Sequence, residues 1–572
     1  MPCLLNRLPK EILFEIFSYF PPLEISYSFS NVNKHVNKVL CDYNLRYSID
    51  LRFMSQEMFD SLKNHLRPER VIHLKMSNEE GVSPKMQYFL SLFDLKSFRN
   101  LRSINVYNVT NENIDLFVFQ LKRLPANHLT SLHLSDIYSG DRFYQLIDLH
   151  SKSLRTLSVD QGSILNRNIF PKNLQNLKLY SIDNFYLKTI LQRLHRNSLI
   201  ELYIQFDFNK FSTKQLLSSF QRHSQSLNRL FININQISIL TLKRLVLALN
   251  NLKRLELDCY YPGDLLDGSQ WEQFAAGLEK LDFHIGCVRT DHESLCRIIN
   301  SFRSPFWCEK KRWWVALIGN HICSIPKFSP TTLEIKSEDD FFPNYSTAPL
   351  SVFFSKVAHL LFRKFFNGFT RPIDYRFRQA KGVRFWYKTR VIKPDVLSLF
   401  LDLHQIEEVE IEKLDIDTCI LLEQMPNVHS LQFNALEDGL SACFPRIRSI
   451  EFSSYSNPVS GEIVEQFYRL FPKVEDLLID IETRIDMYNL INRLQHLVKA
   501  HFRTNHVKRS TLLAELFQKT RLTTKNAKVS QEISQLSSGR SFRRLNPLKS
   551  ESDPAARKWS ENEPNRPEPT VP

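Results

Sequence analysis

The sequence predicts an α/β chain: a small N-terminal unit of three helices, followed by an irregular repeat solenoid in which a curved parallel sheet carries helices on its outer side. Three observations carry that expectation. A pattern of apolar, two variable residues, apolar, one variable residue, apolar recurs eight times between Leu101 and Phe283. Its copies begin 28, 25, 20, 25, 28, 25 and 26 residues apart, a period that ordinary α/β domains do not keep. The first forty residues space their apolar side chains as helices do instead.

The N-terminal segment reads LNRLPKEILFEIFSYFPPLEISYSFSNVNKHVNKVL. Pro9 suits a first helical turn, where its missing N–H costs nothing. Ile12, Leu13, Ile16, Phe17 and Phe20 form one apolar stripe, and Pro21-Pro22 stops the helix. Leu23 to about Phe29 predicts a second short helix. Val32, Val36, Val39 and Leu40 predict a third, with Lys34, Asn37 and Lys38 on its polar side. A three-helix unit of this size buries too little surface to stand alone, and its first helix is apolar over a wider arc than two short neighbours require. The surplus suits a docking surface.

The segment resembles an F-box. That pattern is an L-P-x-E opening, an apolar helix ending near a Pro pair, an acidic-aliphatic step, and a helix introduced by V-x-(K/R). The chain supplies Leu8, Pro9, Glu11, Ile12, Leu13, Ile16, Phe17, Pro22, Leu23, Val32, Lys34 and Leu40. It departs at Glu24, where Asp is usual, at Asn33 for the frequent Cys, and at Val36 for the frequent Trp, an exchange that predicts looser packing of the third helix. The resemblance implies binding of a Skp-type adaptor, and through it a cullin scaffold. Leu8, Pro9, Ile12, Ile16 and Phe17 are the adaptor contacts it implies.

The repeated pattern appears at Leu101-Ile104-Val106, Leu129-Leu132-Leu134, Leu154-Leu157-Val159, Leu174-Leu177-Leu179, Leu199-Leu202-Ile204, Leu227-Leu230-Ile232, Leu252-Leu255-Leu257 and Leu278-Leu281-Phe283. Val71-Leu74-Met76 is a candidate first member. A later run comprises Val357-Leu360-Phe362, Ile406-Val409-Ile411, Val428-Leu431-Phe433, Ile447-Ile450-Phe452, Val474-Leu477-Ile479 and Leu497-Ala500-Phe502. Period and pattern resemble leucine-rich repeats. Alternate residues of a short strand face the core, and the following residues return the chain to start the next strand alongside. Asn113–Leu124, Gln215–His223, Ser238–Leu249 and Ser460–Phe471 have the amphipathic spacing of return helices. The asparagine that such repeats place three positions after the last apolar residue is met cleanly only by Asn235, so irregular turns and uneven curvature are expected.

Residues 284–356 break the rhythm around SPFWCEKKRWWVALIG (Ser304–Gly319), a segment that resembles one found in a group of animal F-box proteins. Leu295–Phe302 predicts a helix and Trp313–Ile318 a strand, which together suggest a disguised repeat. Residues 363–400 mix aromatic and basic side chains: Phe365, Phe366, Phe369, Arg371, Arg376, Arg378, Arg384 and Trp386. Such mixtures bind nucleic acid in some proteins, but core aromatics with solvated arginines explain this spacing better. From about Val529, Ser, Pro, Arg and Glu dominate, the composition of a disordered tail. Arg540, Arg543 and Arg544 form a cluster of the kind that serves as a nuclear signal or polyanion contact; a solvated linker is the commoner explanation.

Composition narrows the function. The 572 residues carry a formal net charge of +14. From Arg503 onward there are 14 Lys or Arg against 7 Asp or Glu, so half of the excess lies in the tail. With 13 Gly, phosphate-cradling loops are disfavoured, and neither GxxxxGK[ST] nor GxSxG occurs. The 9 Cys are odd in number and form no CxxC pair, which points to a reducing compartment, cytoplasmic or nuclear. No signal peptide is expected, because Arg7, Lys10, Glu11 and Glu15 interrupt the first apolar stretch, and no membrane span is expected either. His292-Glu293 begins like a zinc-protease motif, but its fifth position is Cys296. Cys308, His321 and Cys323 have no finger spacing.

The expected organisation is therefore an F-box at 1–48, a leucine-rich-repeat-like solenoid at 49–510 that is irregular at 284–400, and a basic tail at 511–572. The expected function is the substrate-recognition subunit of a Skp–cullin–F-box ubiquitin ligase, itself no enzyme, with no cofactor and no metal. Target contacts are expected among the variable residues between strand leucines, His133, Lys178, Tyr203, Arg229, Phe231 and Arg254, joined by Lys280 and further on by Glu408 and Glu410, so that the face drifts from basic to acidic. A non-ligase scaffold and a nucleic-acid-binding repeat protein are the alternatives.

Overall fold

The computed structural model of the chain describes residues 8–18, 29, 32–40, 47–52, 66–77, 85–108, 111–135, 144–160, 170–196, 198–206, 217–218, 220–261, 264–287, 292–318, 320–335, 345–363, 375–386, 393–453, 461–480 and 484–503. It divides into two compact units, the first holding residues up to 412 with 417–428, the second 413–416 and the residues from 429 on. In the first, ten strands lie side by side in sequence order: β1 (Tyr47–Asp50), β2 (Val71–Ser77), β3 (Ser103–Tyr107), β4 (Ser131–Ser135), β5 (Thr156–Val159), β6 (Asn176–Ile182), β7 (Glu201–Phe206), β8 (Arg229–Gln236), β9 (Arg254–Tyr261) and β10 (Lys280–Gly286). Each pairs in parallel with the next. Every pattern copy from Leu101 to Phe283 forms a strand, and β1 adds one before the expected first member.

Register explains the pattern. Ile104, Leu132, Leu157, Leu177, Leu202, Leu230, Leu255 and Leu281 are cross-strand neighbours, and all are buried in one core. Each contributes roughly 2 kcal/mol of apolar burial, and a one-residue slip would expose the whole row. Parallel neighbours need a long crossover, which the intervening segments provide as helices such as Asn111–Lys122, Asn184–Arg193, Ile239–Ala248 and Gly268–Ala275. Three of these open on a capping side chain placed shortly after a strand: Asp183, Ser238 and Asp267 accept from the backbone N–H of Tyr186, Thr241 and Ser269.

The repeats are tied at the turn leading into each strand. There a single carbonyl accepts two backbone N–H groups from the next repeat: Arg102 from Thr130 and Ser131, Gln175 from Ile200 and Glu201, Lys253 from Glu279 and Lys280. Asparagines reinforce the same turn. The side-chain amides of Asn100, Asn173 and Asn251, each immediately before the first apolar residue of its repeat, donate to the carbonyls of Glu69, Lys152 and Gln225 in the preceding repeat. The asparagine contribution therefore lies before the strand and not, as expected from Asn235, three positions after its last apolar residue.

The segment after β10 is a cap and not the disguised repeat expected. The helix His292–Ser301 leads into a π-helical turn, Phe306–Lys311, which ends on Arg312 at φ 54°. Strands β11 (Trp314–Ile318) and β12 (His321–Ile325) then form an antiparallel hairpin, and β12 pairs antiparallel with β10. Reversing direction ends the parallel series at that edge. Beneath it Trp271, Phe283, Phe302 and Trp307 are fully buried. Gly286 sits at the junction, where a Cβ would lie 2.2 Å from the Tyr260 carbonyl oxygen. Gly286→Ala is expected to cost about 2 kcal/mol in urea unfolding, while Gly277→Ala, with nothing within 4 Å of its Cβ, should stay within about 0.5 kcal/mol of wild type.

Parallel pairing resumes in the same unit with β13 (Thr332–Ile335), β14 (His359–Phe362), β15 (Gly382–Phe385) and β16 (Glu408–Glu410). Strands β13 and β15 escaped the pattern because Pro330 and Ala380 stand where the other copies carry larger aliphatic residues. In the aromatic-basic stretch, Phe377 and Phe385 are buried and Arg376 and Arg378 exposed. Arg384 pairs with Glu410. Phe365, Phe366, Phe369 and Arg371 lie outside the described residues.

The second unit holds a short parallel pair, β17 (Lys413–Leu414) with β19 (Ala435–Leu436), and the parallel strands β18 (Ser430–Phe433), β20 (Ser449–Phe452), β21 (Asp476–Asp480) and β22 (Lys499–Arg503). Its helix Gly461–Leu470 falls where the spacing put it, and Phe433, Phe452, Phe467 and Phe471 cluster in its interior. The tail expected from Val529, with Arg540, Arg543 and Arg544, lies outside the described residues.

At the N-terminus, helices Lys10–Ser18 and Lys34–Leu40 close on a four-residue core of Leu13, Phe17, Val36 and Val39. Val36 is fully buried in this core. Asn33 caps the second of these helices, its side chain accepting from the Val36 N–H at 2.7 Å. Of the expected middle helix, Leu23 to Phe29, only Phe29 is described; its ring meets Phe17 edge-on at 5.1 Å.

Candidate interaction surfaces

Successive side chains of a strand point to opposite sides, so the residues between the buried leucines form the open face of the sheet, turned away from the helices. Register sorts them into rows. The first row, where the strands begin, runs Asn176, Glu201, Arg229, Arg254, Lys280 across β6–β10. The middle row runs Lys178, Tyr203, Phe231, Glu256, Asp282. A third contains Asn233, Asp258 and His284 on β8–β10.

Of the expected target residues, His133, Lys178, Tyr203, Arg229, Phe231, Arg254 and Lys280 belong to this face, whereas Glu408 and Glu410 stand on β16 in the other large sheet. Lys178, Tyr203, Arg229, Phe231 and Arg254 come together. Tyr203 and Phe231 stack at 4.0 Å with planes 6° apart, and Tyr180 joins Tyr203 at 4.8 Å. Arg229 and Arg254 are neighbours in register, and Lys178 is beside Tyr203. His133 lies apart on β4, its ring 5.1 Å from Tyr107, over which the Arg52 guanidinium sits at 4.8 Å. Burial pushes the His133 pKa down and the Tyr203 phenol up to about 12.

The charge of the face differs from the expected drift. Acidic groups already stand among the arginines: Glu201 meets Arg229 at 3.5 Å, Lys280 meets Asp282 at 3.1 Å, and Lys327, which follows β12, pairs with Glu256. Asp258 accepts from the Asn233 amide and from His284 Nδ1, each at 3.0 Å. An ionised carboxylate only accepts, so His284 carries its proton on Nδ1. Tyr180, Asp258 and His284 escaped the sequence reading because it stopped at the last apolar residue of each copy. One more step of the period-two alternation reaches them. Lys280 and Glu408 are exposed as expected, and Glu410 is half-buried.

The adaptor-contact candidates are divided between surface and interior. Pro9 is exposed, and Ile12 is 41% exposed, at the start of helix Lys10–Ser18. Leu8 and Ile16 are half-buried, and the Leu8 carbonyl is held by His35 Nε2 at 3.0 Å. Phe17 is a correction to the surface reading. At 2% exposure it belongs to the unit's own core, because the helical turn that displays Ile12 points Phe17 at Phe29 and Val36.

Other places are chemically plain. An open cleft of about 720 Å³, lined by Arg376, Asp402, His404, Glu423 and Gln424 among others, has walls that are mostly exposed. Among the described residues no group of His, Cys, Asp or Glu is arranged to hold a metal, and no helix is long and apolar enough to cross a membrane.

No protein-family model matches this chain, and no curated protein matches it. Among solved structures the chain is similar to that of the TLR13–ssRNA13 complex, with 14% identity and a TM-score of 0.30, over 77% of this chain. It spans 61% of that chain's length. A likeness at this level carries neither the fold nor the ligand across; the repeat-like character of the chain stands on its own parallel sheet and helices.

Proposed function

We propose that this chain is the target-recognition subunit of a Skp–cullin–F-box ubiquitin ligase, an F-box followed by a leucine-rich-repeat-like array. The observation that carries the reading is the N-terminal unit. A dozen residues match the F-box pattern in order, from Leu8 to Leu40. The first helix turns Leu13 and Phe17 inward to a core of four residues and leaves Pro9 and Ile12 outside, an apolar edge on a unit too small to need it. Arg70, itself buried, donates to the Leu40 carbonyl and so links this unit to the start of the repeats.

In this reading the chain contributes geometry. The adaptor holds one end, the open face of the sheet holds a protein target, and a conjugating enzyme brought by the scaffold modifies a target lysine. The gain is effective concentration, with no nucleophile or cofactor of this chain.

Co-expression with a Skp-type adaptor tests it. The wild-type chain is expected to co-purify with the adaptor, and with cullin when that is added. Ile12→Asp places a charge on an exposed helix position, so it should leave folding intact and reduce capture about tenfold or more. A wild-type chain that captures no adaptor, or an Ile12→Asp chain that captures it equally well, would overturn the reading.

A further inference from the structure

The open face is specific in its chemistry as well as apolar. Arg254 and Asp258 project from the same side of β9, four residues apart, which in a strand is about 13 Å. Glu256 between them is paired with Lys327, so the midpoint carries little charge. Beside that midpoint lies the stacked pair Phe231 and Tyr203. Arg229 and Arg254 are both exposed; Arg229 meets Glu201 at 3.5 Å, while Arg254, at the edge nearer β10, has the Glu279 carboxylate in its neighbourhood. Asp258 is held by one donor on each oxygen, which orients the carboxylate and leaves lone pairs to accept from a further cation.

We propose that this part of the face takes an extended protein segment in which an apolar side chain is flanked, two residues to either side, by one acidic and one basic side chain. The inference rests on the reading of the open face as the target site. An extended segment points residues i, i+2 and i+4 the same way, and its i to i+4 distance equals that between Arg254 and Asp258. The acidic side chain meets Arg254, the apolar one lies on the Phe231–Tyr203 edge, and the basic one meets Asp258. A polyanion fits poorly, since Asp258 would face its phosphates and the nearby Lys327 and Lys280 are already engaged by Glu256 and Asp282.

Fluorescein-labelled nonapeptides centred on Glu-Ser-Trp-Ser-Lys, Lys-Ser-Trp-Ser-Lys and Glu-Ser-Trp-Ser-Glu test this by anisotropy with the full chain. The mixed-charge peptide is expected to bind about tenfold more tightly than either single-sign peptide. Arg254→Glu should invert the order, so that the Lys/Lys peptide binds best, a gain that a misfolded variant would not show. Equal affinity for the three peptides, no binding of the mixed peptide at 1 mM (a concentration of about the weakest useful contact), or tighter binding of a single-stranded RNA 12-mer would each overturn the inference. Adaptor capture is measured on the same preparation. Capture without peptide preference removes this inference and leaves the ligase reading. Peptide preference without capture does the reverse.

Discussion

Trp307→Ala is expected to destabilise the first unit by about 4 kcal/mol, the cost of emptying a fully buried indole site. Trp307 has no exposed surface. Its ring lies edge-on to Phe302 at 4.9 Å and near Trp313 at 6.0 Å and Phe283 at 6.3 Å, while Nε1 donates to the Gly268 carbonyl at 3.2 Å. The backbone carbonyl of the same residue receives the Trp313 N–H at 2.9 Å, immediately before β11. The residue thus joins the last parallel repeat to the antiparallel hairpin that ends it. Gly268 is itself closely packed, since a Cβ there would lie 2.6 Å from the Ser301 carbonyl oxygen. Urea unfolding should show the loss, and hydrogen exchange should accelerate most in β11 and β12. Trp307→Phe should recover most of the stability and lack about 1 kcal/mol for the missing hydrogen bond. A loss below about 1 kcal/mol in the Ala variant would mean that the hairpin does not depend on this residue.

Stability is also expected to fall as pH drops from about 6.5 toward 4, through histidines buried as neutral rings. His150 is 1% exposed, and burial, assisted by the nearby His128, pushes its pKa from 6.5 to about 4. Above pH 6.5 the ring is neutral in both folded and unfolded chains, and stability is complete. Below 6.5 the unfolded chain takes a proton that the folded chain refuses. Stability therefore declines until about pH 4, where the folded form is protonated too. For His150 alone the loss is on the order of 3 kcal/mol. His223, fully buried with Nε2 3.0 Å from the Leu191 carbonyl, is shifted down by burial in the same direction. Thermal melts from pH 7 to 4.5 should show the decline. His150→Asn keeps an acceptor for the His128 N–H, which His150 Nδ1 now receives at 3.3 Å, and should flatten the profile. Identical slopes for variant and wild type would show that His150 is not a source of the effect.

The candidate site was partly legible in the sequence. Tyr203, Phe231, Arg229 and Arg254 could be placed on one face, because a strand alternates and the leucines on either side mark which positions are inward. Their partners could not be placed. Glu256 and Asp282 meet Lys327, a residue 71 and 45 positions away in sequence, only because the hairpin folds back along β10. Phe17 looked like a surface residue since a helical stripe does not say which of its members the neighbouring helix covers. The asparagine ties were missed because the position before the first apolar residue holds Asn in only some of the eight copies, at Asn100, Asn173 and Asn251, and His, Ser or Gly in the others, so it leaves a weaker mark than the leucines.

By itself, the sequence determined the strands β3 to β10, the interval between them, three return helices (Asn111–Lys122, Ile239–Ala248 and Gly461–Leu470), and the two short helices that pack at the N-terminus. All of these follow from where apolar residues recur, and burial is the largest force acting on each segment. The segment expected as a helix at Gln215–His223 ends instead in a 3-10 turn, Gln221–His223. Strand direction at the end of the series, the capping hairpin, the ion pairs and the distribution of charge on the open face were decided by the tertiary structure. Alternating apolar residues suit parallel and antiparallel pairing equally. Which charges meet depends on register between segments that are distant along the chain.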